Sequence, residues 1–93
     1  MNNRIEQMHT LLAALEPVQM EVIDDSHKHA GHEGARSGGG HYTLNIVSTH
    51  FDGKPTLARH RMIYSALGEM MKHDIHALNI QAATPQELKQ AVQ

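Results

Sequence analysis

Residues 26–40 carry no hydrophobic periodicity, and on both sides of that gap apolar residues alternate with polar ones. Before it, Val18, Met20 and Val22 alternate with Gln19, Glu21 and Ile23; after it, Tyr42, Leu44 and Ile46 alternate with Thr43 and Asn45. A period of two sends successive side chains to opposite faces, so each run is expected to be a strand with one buried face. The first ends at Asp24-Asp25-Ser26 and the second continues through Val47. Strands joined across such a connection are expected to pair antiparallel. The connection holds five glycines and three histidines, and patternless stretches of this length inside a compact domain are commonly functional.

The remaining segments show helical spacing or strand alternation. Ile5, Met8, Leu11, Leu12 and Leu15 share one face of a helix expected over Arg4 to Leu15, with Asn3 as its cap, Glu6 as the reciprocal acid and Pro17 closing it. Asp52-Gly53-Lys54-Pro55 marks a turn. From Thr56 to Lys72 a stripe of Leu57, Ile63, Leu67, Met70 and Met71 is widened by Ala58, Met62 and Ala66. Arg59, His60 and Arg61 interrupt it, so a break into two helices is expected there. Ile75 to Ala82 is the third strand, with His76, Leu78 and Ile80 expected on one face. Thr84-Pro85-Gln86-Glu87 opens a last helix carrying Leu88, Ala91 and Val92: a hydroxyl cap, a proline in the first turn, and an acid three residues on. The order helix-strand-strand-helix-helix-strand-helix is that of an α+β fold. A helical crossover makes strands two and three parallel, giving a three-stranded mixed sheet with helices on one face.

Ninety-three residues are enough for one domain, expected over 1–93. With 40% hydrophobic and 19% charged residues the chain is expected to fold. Aromatics are only 3%, so the core falls to aliphatic residues and six Met. A net charge of −2 argues against tight, phosphate-driven binding to nucleic acid. The absence of cysteine removes disulfides, thiolate ligands and thiol nucleophiles together. No apolar run approaches the roughly 20 residues of a membrane span. Met1-Asn2-Asn3-Arg4-Ile5-Glu6 lacks the hydrophobic stretch of a secretory signal, so a cytoplasmic protein is expected. Enzymatic signatures are missing: no phosphate loop, no metal-hydrolase motif, and no nucleophile paired with a base. Ser48, His50 and Asp52 sit on one strand end and turn, where alternation does not assemble a triad.

Nine histidines in 93 residues are the compositional outlier, and His27, His29, His32 and His41 lie within fifteen residues. Neutral imidazole binds iron, zinc, copper and nickel, so a metal role stands beside the plainer reading of a solvated, histidine-rich loop. Binding of a free divalent ion by the chain alone is one form of that role. Arg59, His60 and Arg61 form the one compact basic group. They fit either a phosphate contact or a solvated helix turn.

Several stretches resemble the BolA family. Asp24-Asp25-Ser26-His27-Lys28-His29-Ala30-Gly31-His32 is similar to the start of that family's long loop. Ile46-Val47-Ser48, Phe51-Asp52-Gly53 and Leu57-Ala58-Arg59-His60-Arg61-Met62-Ile63-Tyr64 resemble its central signature. Ile75-His76-Ala77-Leu78-Asn79-Ile80 resembles its late strand, with Thr84-Pro85-Gln86-Glu87 after it. The resemblance covers nearly the whole chain and implies a fold similar to the type II KH domain. It implies two roles: partnership with a monothiol glutaredoxin through a shared 2Fe–2S cluster, and transcriptional regulation by direct DNA contact. By motif one cluster ligand falls on His76, and the second on His29 with His32 close behind. Since this chain offers imidazoles and no thiolate, the remaining ligands come from the partner. No cluster is expected on the isolated chain, which is expected to be a monomer. Two imidazoles on one iron would raise the reduction potential above an all-thiolate site. Two departures from the family stand out. Gly38-Gly39-Gly40 precedes His41-Tyr42 where relatives carry polar residues, and Gly53-Lys54-Pro55-Thr56 lacks the second glycine of a backbone-clamping GxxG loop.

Overall fold

A computed structural model describes residues 3–25 and 40–91. Helix α1 spans Asn3–Leu12 and tightens into a 3-10 turn at Ala13–Leu15; strand β1 is Gln19–Asp24 and β2 is Gly40–Val47. A second 3-10 turn, Thr49–Phe51, leads to α2 (Thr56–Leu67), α3 (Met70–His73), β3 (Ile75–Ala83) and α4 (Pro85–Ala91). The strands lie in the order β1-β2-β3, with β1 antiparallel and β3 parallel to β2. This is the expected α+β arrangement around a mixed sheet.

The inner face of β2 makes the core. Tyr42, Leu44 and Ile46 are buried there, paired with Leu78, Ile80 and Ala82 on one side and with Asp24, Val22 and Met20 on the other. Met8 and Leu12 of α1, Ile63 and Leu67 of α2, and Met70 of α3 close over them, with Phe51 beneath. Each such large side chain removed from water contributes about 1.5–3 kcal/mol. The opposite face carries Glu21, His41, Thr43, Asn45, Asn79 and Gln81, and Leu88 of α4 lies beside its far end.

Several boundaries and burials differ from expectation. Asn3 is the first helical residue instead of the cap before it, and α1 ends at Leu12, where the 3-10 turn hands over to Glu16 at φ 49. Leu11 and Leu57 are exposed because each falls just outside the buried sector of its helix, and Val18 is exposed because it precedes β1. Val18 still donates its backbone N–H to Val47 O at 2.8 Å, which opens the β1–β2 ladder. The helical break is at Gly68 (φ 54, ψ −123) and not at Arg59–Arg61, since a left-handed φ ends a helix whereas exposed charges do not. The third glycine of the Gly38-Gly39-Gly40 run belongs to β2: a Cβ on Gly40 would lie 2.5 Å from the Tyr42 ring, which packs directly over it.

Ser48 pins the end of β2. It is fully buried; its Oγ donates to Leu15 O at 2.6 Å and accepts the His50 N–H at 3.0 Å. The His50 ring instead meets Glu16 at 2.8 Å, so these residues form a structural corner. Among the described residues no helix is long and apolar enough to cross a membrane.

Candidate metal centre

Strands β2 and β3 are parallel and begin side by side, but their register slips once. Gly40 pairs with Ile75, whereas His41 pairs with Ala77, so His76 is the extra residue of a β-bulge. Regular alternation would have put His76 in the row of Leu78 and Ile80, as expected from sequence. The bulge takes it out of that row: Ile75 is buried in its place and His76 is exposed. Its ring comes against that of His41, with centroids 5.1 Å apart and planes tilted by 43°.

His41 is the half-buried member of the pair. Its backbone is fixed on both sides. Its carbonyl accepts the Asp25 N–H at 2.7 Å, and the preceding Gly40 N–H donates to Asp74 O at 3.0 Å. Asp25 in turn accepts a hydrogen bond from Thr43 Oγ at 2.5 Å. Asp25, His41, Thr43, Ala77 and Asn79 line a shallow cleft beside the imidazoles. Two imidazoles on neighbouring strands are thus presented from the rigid part of the fold, which places ligands better than a loop does.

His29 and His32, the expected second ligands, lie outside the described residues, as does His27. Among the described residues no group of three or more His, Cys, Asp or Glu is placed to hold a metal ion. The donor set fits a shared group. It could offer two imidazoles and no thiolate, while a 2Fe–2S cluster needs four ligands and tolerates two imidazoles.

The basic group divides. The Arg59 side chain is only 11% exposed. Its Nε donates to Lys54 O at 2.7 Å and Nη1 to Ala82 O at 3.1 Å, while both Nη atoms reach Glu87, each at 2.7 Å. The guanidinium also sits 6.0 Å from the Phe51 ring centroid. Glu87 closes the expected capping box as well: its carboxylate accepts the Thr84 N–H at 3.0 Å, and its own N–H donates to Thr84 Oγ at 3.1 Å. The Arg59 fork, seconded by the Thr84 N–H, holds the Glu87 carboxyl down at about 2, and the same contact raises Arg59. Arg59 therefore ties α4 to α2 and to the end of β3. Arg61 is exposed, and the His60 ring stands edge-on to Tyr64 at 6.3 Å. Of the three, Arg61 is the one whose side chain faces water outright.

Sequence reasoning misses His41 as the neighbour of His76. A signal for it exists: each histidine comes directly after the first residue of its strand, and parallel pairing sets the two strand starts side by side. The Arg59–Glu87 fork has no such signal, being a contact between helices separated by a strand.

A family model described as BolA-like protein matches residues 11–87. SufE-like protein 1 (chloroplastic/mitochondrial) of Arabidopsis thaliana is 46% identical over 79 residues, covering 80% of this chain but only 21% of that protein. The DNA-binding transcriptional regulator BolA of Escherichia coli is 42% identical over 84 residues, covering 90% of this chain and 75% of the relative. Among solved structures, the BolA domain of Arabidopsis SufE1 superposes with a TM-score of 0.81 at 42% identity, over 94% of this chain and 98% of that one. Arabidopsis BolA1 gives 0.79 at 37% identity, over 94% and 97%. With the family model spanning most of the chain and the same sheet recurring in its solved relatives, this chain belongs to the BolA-like protein family.

Proposed function

We propose that the chain is a non-enzymatic adaptor of the cytoplasm that binds a monothiol glutaredoxin. In this role it shares a bridging 2Fe–2S cluster with its partner, in iron–sulfur and iron homeostasis and under stress. The observation that carries this reading is His76: a bulge lifts it out of the core row and leaves it exposed on a rigid strand. A histidine kept only for packing would sit in the Leu78–Ile80 row. The donor chemistry agrees, because a chain without cysteine has only imidazoles to offer and needs thiolates from elsewhere. Size-exclusion chromatography of the chain with a monothiol glutaredoxin and a cluster source tests the partnership. A coloured 1:1 complex is expected, and two separately eluting proteins with cluster on the glutaredoxin alone would refute it.

A second reading is supported by the relative named as a DNA-binding transcriptional regulator, 42% identical to this chain. It uses the Arg59–Arg61 stretch of α2. With Arg59 engaged by Glu87, its direct contacts fall to His60 and Arg61. It predicts sequence-dependent DNA binding at physiological salt that weakens in Arg61→Ala. Binding only at low salt and without sequence preference would rule it out.

A further inference from the structure

The geometry points to His41 as an imidazole that shares a metal ion with His76. This deepens the adaptor reading and rests on it where the cluster is concerned, but the ion-binding pair can be tested without any partner. Metal–nitrogen bonds of about 2.0–2.1 Å and a tetrahedral angle hold the centroids of two imidazoles roughly 5 Å apart. The observed separation is 5.1 Å, and the 43° tilt leaves the rings unstacked. Neither ring needs a backbone shift to reach that spacing. The alignment has a cause in the fold: without the bulge at His76, β3 would turn this ring toward the Leu78 row, away from the face of β2 that carries His41.

Chelation also favours the pair. Two ligands already adjacent on paired strands lose little conformational freedom when an ion joins them. Asp25 and Thr43, hydrogen-bonded to each other beside His41, give the site a polar wall. The pair supplies two nitrogens and leaves the other positions of a tetrahedral ion open, which a partner's thiolates would fill.

Zinc is the probe, added to the isolated chain and monitored by NMR of the histidine ring nitrogens. The ring resonances of His41 and His76 are expected to shift together at one equivalent. His41→Ala and His76→Ala should each weaken zinc binding by at least the roughly 10–100-fold typical of disturbed metal sites. A variant with His27, His29 and His32 all changed to Ala should keep the joint shift. The inference is overturned if zinc moves His76 together with loop histidines while His41 stays still, if zinc binds only the loop, or if the isolated chain binds none. The wild-type spectrum decides this even should His41→Ala fail to fold. A joint shift with zinc, but no cluster in the presence of glutaredoxin, would instead refute the adaptor reading and leave the His41–His76 pair standing.

Discussion

Replacing Arg59 by methionine keeps the apolar stem and removes only the guanidinium, so it separates a structural clamp from a nucleic-acid contact. Four hydrogen bonds are lost. The two to Glu87 reach a half-exposed carboxylate, where solvent screening leaves them little net stabilisation. The bonds to Lys54 O and Ala82 O are charge-assisted, and such bonds contribute roughly 1.5–3 kcal/mol each when their loss leaves the acceptor dry. Lys54 is exposed, so its carbonyl recovers water, whereas Ala82 is half-buried and its carbonyl recovers less. The expected loss is therefore about 2–3 kcal/mol. At roughly 4–8 °C per kcal/mol for a domain of this size, Tm falls by about 10–20 °C. Arg61→Met, changing an exposed side chain, should stay within about 0.5 kcal/mol of the wild type. Differential scanning calorimetry of the three proteins at pH 7 reads both effects. An Arg59→Met protein melting within about 3 °C of the wild type would refute the clamp. The contrast also governs how DNA-binding data are read, because lost binding in an Arg59 variant would report unfolding as readily as a missing phosphate contact.

Three further outcomes are expected from the geometry. The Glu87 carboxyl, held at about 2 against an ordinary 4.5, binds its proton later in the folded chain than in the unfolded one. Its contribution is full above pH ~5 and is lost as pH falls from about 4.5 toward 2, so the urea midpoints of wild type and Glu87→Gln should converge over that window; a gap that widens on acidification would contradict the fork. Gly40→Ala forces the Tyr42 ring off its seat and should cost about 1–3 kcal/mol, with a changed Tyr42 near-ultraviolet signal; an unchanged signal would contradict the packing. Ser48→Ala leaves Leu15 O and the His50 N–H without their partner and should lower stability by about 2 kcal/mol in urea titration, while a neutral effect would show that water replaces the hydroxyl.

Most of the fold is legible in residue order. Alternation at Tyr42, Leu44 and Ile46 marks β2 because its two faces meet different environments, and the Thr84–Glu87 box marks α4 because its hydrogen bonds are local. Gly68 is harder, since a helix-ending glycine inside an apolar stripe has the same composition as one tolerated there, and only its positive φ distinguishes the two. The face of His76 differs from the sequence expectation for a physical reason. Period-two counting assumes unbroken pairing, and a one-residue bulge inverts every assignment on its far side. The site therefore divides by range. His76 is visible through its motif, His41 through the topology, and the role of Arg59 only through a contact with a residue 28 positions away.

Visible circular dichroism of the mixed proteins tests most directly whether His76 serves a cluster shared with another protein. The wild-type chain, added to cluster-loaded monothiol glutaredoxin, is expected to change the visible spectrum in both absorption and ellipticity, saturating at one chain per glutaredoxin. His76→Ala, shown to be folded by its far-ultraviolet spectrum, should leave the glutaredoxin spectrum as it was or give a clearly different one. An identical spectral change with His76→Ala and wild type would contradict the assignment.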